Sequence, residues 1–267
     1  MSMKRFYPID IFFKRSPAEK IVEAAIRLKK DGLSKKLASI MSRFSDKGFE
    51  PVSLNLTLRE DRFYLACFLK IDGDYENLEK LLASMKEEGE IEEYRIRKSQ
   101  IDSKIFNTFC YPITVDSGRQ RMILDDRNGL SLFVKEIHER YGSGGEAFLY
   151  FMGRTRGEIG GKSFASEKIT KEFLEEDLRS LQAAGWGMTE LVEADLDEKF
   201  IRVRIYDLYE SAAFAGRSDR PRCHFVRGYL EGLFSEFLGV ELESKEVKCV
   251  AMGDPYCEFI FKRSESP

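Results

Sequence analysis

Three cysteines and one glutamate near the end of the chain are residue types from which a metal centre can be built. Cys223, Cys249 and Cys257 are three of five cysteines in the 267-residue sequence, and Glu246 is the carboxylate just upstream of the second. Thiolate and carboxylate side chains bind Zn2+. Four protein ligands close its tetrahedron and make the site structural, whereas catalysis needs a position left open for water. Spacing alone leaves two other readings open: buried thiols behave as small hydrophobes, and Cys249 with Cys257 could form a disulfide, which a reducing compartment opposes. The spacing matches no recognised zinc motif.

The elements that must position these residues are legible. Val226, Tyr229, Leu230, Leu233, Phe234 and Phe237 recur at three- and four-residue steps up to Gly239, which predicts a helix with a glycine stop and Cys223 in its first turn. Val240 to Ala251 and Tyr256 to Phe261 read as strands joined through Met252-Gly253-Asp254. Pairing centred on Gly253 sets Cys249 opposite Cys257, where facing Cβ atoms lie ~4.5–5.5 Å apart. Glu246 and Cys249 are three apart, which in a regular strand turns them to opposite faces. A bulge or an early strand end is therefore needed to aim both at one ion. Three thiolates and a carboxylate around a divalent cation leave about −2, and Arg222, Lys248 and Lys262 are the nearby cations expected to offset it.

The run Gly228-Tyr229-Leu230-Glu231-Gly232, then Glu246-Val247-Lys248-Cys249, then Met252-Gly253-Asp254-Pro255-Tyr256-Cys257-Glu258-Phe259, resembles the C-terminal signature of the 4-vinyl reductase domain family. The resemblance spans about residues 120–262. It implies a fold related to trafficking-particle (TRAPP) subunits and a structural zinc on Cys223, Glu246, Cys249 and Cys257. As in the sensor domains of phenol-responsive activators, it also implies an apolar pocket beside the zinc. By position, that pocket takes Phe148, Phe151, Met152, Trp186 and Tyr229, although aromatics at helical spacing equally suit a core. The family's name adds an alternative, reduction of a vinyl group on a tetrapyrrole-like substrate, and the trafficking relatives add another, a scaffold subunit. No dinucleotide-binding fingerprint is present.

Upstream, Ile21 to Leu28 alternates as a strand, and Leu33, Leu37, Ile40, Met41 and Phe44 make a helical stripe ending at Gly48. Val52, Leu54, Leu56 and Leu58 alternate with polar residues, as expected of a strand with one dry face. Phe63 to Ile71 is a third strand, Leu78 to Met85 a second helix and Ile91 to Arg97 a fourth strand. This βαββαβ order predicts a ferredoxin-like split-βαβ domain over residues 19–98. It resembles the ACT domain, a regulatory module that commonly binds amino acids at dimer interfaces. The turn glycine corresponds to Asp31-Gly32, and the proline frequent there is missing, so a dimerising sheet is the reading preferred over effector binding. Residues 1–18 are expected to form an arm or strand and 99–119 a connector. In the remainder, helices are expected over 129–141, 145–159 and 166–184, and a hairpin over 189–208. The fold class is thus α+β in two domains.

Cys67 and Cys110 read as core, His138 as solvated, and His224 as a partly exposed helix residue or a neighbour of the metal's ligands. Gly157-Glu158-Ile159-Gly160-Gly161-Lys162-Ser163 mimics a phosphate loop, but the required leading glycine is Arg156 and no strand enters it, so its glycines read as helix end and close backbone approach. Net charge is −3 with interspersed signs, which argues against nucleic-acid and membrane surfaces. No stretch approaches the ~18 apolar residues of a spanning helix. The N-terminal stretch lacks the apolar core of a signal peptide, and together with the odd cysteine count this suggests a cytoplasmic protein. No acid–base pair accompanies a cofactor motif, which disfavours an enzyme. The sequence therefore predicts a ligand-sensing regulatory protein: a small hydrophobic or aromatic ligand, a structural Zn2+, a homodimer, and output through a transcriptional or signalling partner.

Overall fold

Apolar alternation and helical stripes account for both halves of the chain. The structure, a computed structural model, describes residues 13–15, 20–72, 74–98, 104–109, 111–115, 119–164 and 166–264. It divides into two units, Ser2–Ile123 and Leu124–Pro267.

In the first unit, β1 (Phe13–Arg15) is followed by β2 (Ile21–Lys29), α1 (Leu33–Asp46), β3 (Phe49–Arg59), β4 (Arg62–Ile71), α2 (Tyr75–Glu87), β5 (Glu93–Lys98) and β6 (Lys104–Phe106). Two short strands, β7 (Thr114–Val115) and β8 (Gln120–Arg121), pair with each other. The main sheet is antiparallel in the order β3-β4-β2-β5, so each helix links strands that are not neighbours. Its core joins Val22, Ala24, Ile26 and Leu28 of β2 to Ile40 and Phe44 of α1 and to Leu78, Leu82 and Met85 of α2. Gly32, at φ 64°, supplies the left-handed turn into α1. β1 pairs with β6, and Ile105 packs with Ile21 and Phe68. Buried Glu23 accepts from Thr108 N at 2.5 Å and Phe109 N at 3.0 Å and pairs with Arg97 Nε at 3.1 Å. The dry face expected of β3 is not dry along its length: Leu54, Leu56 and Leu58 are exposed. They oppose Cys67, Leu65 and Phe63 on an edge strand that has β4 on one side only. Cys67 is buried, as a core reading requires; Cys110 and most of residues 1–18 lie outside the described residues.

The second unit comprises α3 (Arg127–Lys162), α4 (Lys171–Ala183), β9 (Met188–Asp195), β10 (Phe200–Tyr206), α5 (Tyr209–Ala212), α6 (His224–Leu238), β11 (Leu242–Lys248) and β12 (Cys257–Arg263). The sheet is antiparallel, ordered β11-β12-β10-β9. The two helices expected over 129–159 are halves of α3, bent at Gly142, whose φ 53° and ψ −132° suit glycine alone. α4 begins at Lys171 instead of near Ser166, because Thr170 is the cap: its Oγ1 accepts from Phe173 N at 3.2 Å.

α3 and α6 approach at backbone distance. Gly153, Gly157 and Gly161 of α3 face α6, and Gly228 and Gly232 of α6 face α3. A Cβ at Gly153 would meet the Phe225 carbonyl, one at Gly157 the Tyr229 carbonyl, and one at Gly232 the Arg154 carbonyl. The other side of α6 carries Val226, Leu230, Leu233 and Phe234 into a core shared with Ile201, Val203, Ile205, Phe259 and Phe261. No described helix is long and apolar enough to cross a membrane.

Candidate metal centre and aromatic cluster

Cys223, Glu246, Cys249 and Cys257 converge. Cys223 is the residue before α6, Glu246 lies on β11, Cys249 follows β11, and Cys257 opens β12. The pairing of β11 with β12 slips between Glu246 and Lys248. That bulge at Val247 reconciles the three-residue spacing of Glu246 and Cys249 with a common target. A 3-10 turn, Val250–Met252, then leads to Gly253 at φ 97°, and Asp254 Oδ2 accepts from Cys249 N at 2.9 Å to fix the turn.

All three cysteines are fully buried, and Glu246 is nearly so. The sulfurs stand 3.8 Å (Cys223–Cys249), 3.6 Å (Cys223–Cys257) and 3.9 Å (Cys249–Cys257) apart, and no disulfide joins them. A tetrahedron with Zn–S bonds of ~2.3 Å has an edge of about 3.8 Å, so the triangle of sulfurs has the size of one of its faces. Glu246 Oε2 accepts from Cys223 N at 3.1 Å, while its Oε1 is buried without a partner. All four donors lie within 4.8 Å of one another. An orphaned carboxylate oxygen beside three unpaired thiols fits a divalent, thiophilic cation, which would satisfy every one of them.

Burial pushes the Cys223 thiol and the Glu246 carboxyl well above their ordinary ranges, whereas hydrogen bonds from Cys223 and then Cys257 hold Cys249 low. A dry pocket favours the neutral forms, and a bound cation is the charge that reverses that preference. The expected offsetting cations point elsewhere. Arg222 binds Glu146 Oε1 at 3.0 Å, Lys248 donates to Tyr256 at 3.0 Å, and Lys262 pairs with Glu243 at 2.8 Å. Dipoles replace them: Val250 N donates to Cys257 Sγ at 3.5 Å, and Ser211 Oγ lies 3.4 Å from the same sulfur. Nearby, fully buried Glu210 accepts from Phe225 N and Val226 N, both at 2.8 Å, and so caps α6 where Cys223 does not. Burial raises its pKa to about 8 against these two bonds.

His138, expected to be solvated, is buried. On a straight helix, residues eight apart are about 12 Å apart along the axis; the bend at Gly142 brings His138 Nδ1 to 3.5 Å from Glu146 Oε1. His224 Nε2 is 3.9 Å from Glu146 Oε2. Arg220 and Arg222 both hold Glu146 Oε1, at 2.9 and 3.0 Å, so the carboxylate already has its cations and the group is an ion-pair network. Burial, then the Arg222 charge, lowers the His138 pKa; burial, then Arg227, takes His224 to about 4. The network ties α3 to both residues flanking Cys223.

Of the five residues expected to line a pocket, the structure brings two together. The Trp186 ring lies 5.0 Å from Tyr229, with Tyr209 at 5.7 Å and Phe225 at 5.8 Å. Phe148, Phe151 and Met152 are exposed on the far side of α3, because α3 turns Leu149, Gly153 and Gly157 inward. Tyr209, Phe225 and Asp177 are additions that the sequence did not single out. Asp177 on α4 acts on Tyr229, raising its pKa after the larger effect of burial, and burial lifts Asp177 itself to about 6.

Residues 202–263, from β10 to β12, match the family model of the 4-vinyl reductase domain. The chain is 26% identical over 121 residues to an uncharacterized protein, MJ0150, of Methanocaldococcus jannaschii, covering 45% of this chain and 66% of that one, just under two thirds. Similar solved structures include the phenol-responsive sensory domain of the transcription activator PoxR with phenol, 22% identical with a TM-score of 0.47, covering 55% of this chain and 78% of that one. A vinyl-4-reductase family protein of Methanocaldococcus jannaschii is 19% identical with a TM-score of 0.39, covering 54% and 85%. A trafficking protein particle complex subunit 3 from Naegleria fowleri, covalently bound to palmitic acid, is 14% identical with a TM-score of 0.36, covering 52% and 95%.

Proposed function

We infer that this is a ligand-sensing regulatory protein whose second unit is stabilised by Zn2+ on Cys223, Glu246, Cys249 and Cys257 and recognises a small aromatic or hydrophobic molecule at the Trp186–Tyr229 cluster. The ion's role is structural, since four protein ligands leave no open position. It would tie the start of α6 to β11 and β12, as chelation adds its binding energy to folding.

The observation that carries the sensing reading is Asp177. A carboxyl raised by burial to about 6, with burial as its sole cause, sits beside an aromatic wall and destabilises the fold at neutral pH. Such a group suits a site that must recognise a hydrogen-bond donor, as on a phenolic hydroxyl, in apolar surroundings. Phe225 and Tyr229 stand on the same helix whose cap is Cys223, so ligand and ion would act on one element. A regulatory output then needs a partner protein. Thermal-shift screening of phenols and matched hydrocarbons tests this. Stabilisation by hydroxylated aromatics that is lost in Asp177→Asn and Trp186→Ala supports it; no stabilisation by any aromatic, with the metal in place, refutes it.

A further inference from the structure

The outer face of α3 is apolar, continuous and uncovered. Phe148 is 57% exposed, Phe151 62%, Met152 48% and Ile159 60%. At 100° per residue these four and Thr155 fall within about 100° of one another, directly away from the glycine ridge that α6 occupies. Gly144, Ala147 and Thr155 complete the face, which carries no carboxylate. Single exposed hydrophobes need no explanation, but a contiguous stripe does.

We propose that this face is a homodimer interface, with α3 packing antiparallel on α3 of a second copy about a two-fold axis between Met152 and Thr155. The stripe is self-complementary in that register. Phe148 meets Ile159 of the second copy, Met152 meets Thr155, and Phe151 meets Arg156, which offers a cation beside a ring. The area fits a second copy as well. The four large side chains expose on the order of 450 Å2 per copy, so a pair buries about 900 Å2 from them alone, and the flanking stems bring the total to the ~1,200 Å2 at which specific interfaces begin. A two-fold contact also sets apolar surface against apolar surface and leaves no buried charge to compensate. The interface depends on neither the ligand nor the metal.

Sedimentation of the full chain across a dilution series tests it. The wild type should be a dimer. Phe148→Glu and Ile159→Lys, each placing a charge against an apolar patch, should each weaken the dimer on the order of a hundredfold. The double variant sets opposite charges against each other across the axis and should restore it. Far-UV circular dichroism and metal content should match wild type throughout, since these side chains face away from the core. A monomeric wild type overturns the proposal. So do single variants that remain dimeric, a double variant no better than the singles, or flotation of the wild type with phosphatidylcholine–phosphatidylglycerol vesicles that the single variants lose.

Discussion

Replacing Gly157 by alanine should destabilise the protein, although the same change in an exposed helix does the opposite. Glycine in a helix interior costs about 1 kcal/mol relative to alanine, and that gain is available at Gly157. Against it, the new Cβ would run into the Tyr229 carbonyl and stand 2.8 Å from Leu233 N. Both are helix backbone and cannot rotate aside. α3 and α6 must therefore separate, losing contact along the whole glycine ridge, and overpacking of this kind costs about 1–3 kcal/mol. The net expectation is a loss of about 1–2 kcal/mol, or roughly 3–6 °C in Tm. Gly144 is the internal control: it lies on the same helix, and a Cβ there meets nothing within 4 Å. Gly144→Ala should raise Tm by about 1–3 °C. Differential scanning calorimetry of the three proteins decides the matter, and a Gly157→Ala variant melting at or above wild type would refute the close α3–α6 contact.

Further outcomes follow from the two candidate sites. Cys249→Ser and Glu246→Gln should each lose bound metal, by inductively coupled plasma mass spectrometry, and melt lower than wild type, whereas Cys67→Ser on the first unit should leave metal content unchanged. Acidification from neutral toward about pH 5 should release the ion to a chelator, because protons compete for the thiolates. Asp177→Asn should stabilise the protein at neutral pH. The carboxyl is raised from the usual 3.8 to about 6, so the native state binds more protons and stability falls as pH rises between those values. A rise of that size corresponds to about 2–3 kcal/mol; by urea titration the variant should be more stable than wild type above about pH 7 and no different below about pH 3.5.

Much of the candidate site could be read from residue types and period. The helix after Cys223, the hairpin around Gly253 and the need for a bulge between Glu246 and Cys249 all follow from spacing, because a strand's two-residue period makes any odd offset conspicuous. The aromatic assignments were harder, since a helical period says that Phe148, Phe151 and Met152 share a face without saying which face is dry. The glycine ridge decides that, and it had a signal: glycines at 153, 157 and 161 in one helix and at 228 and 232 in another. His138 was unreadable for a different reason. Its burial depends on the bend at Gly142 and on arginines far along the chain, Arg220 and Arg222, contacts that no local pattern encodes. Leu54, Leu56 and Leu58 show the converse, a clean alternation on an edge strand whose side chains stay exposed.

The proposal that a divalent cation holds α6 to the C-terminal hairpin is tested most directly by zinc K-edge X-ray absorption on the purified full chain, with metal stoichiometry measured on the same sample. The account predicts one zinc per chain in a shell of three sulfurs and one oxygen at tetrahedral distances. A chain free of zinc yet folded and equally stable, or zinc bound without sulfur in its shell, would contradict it.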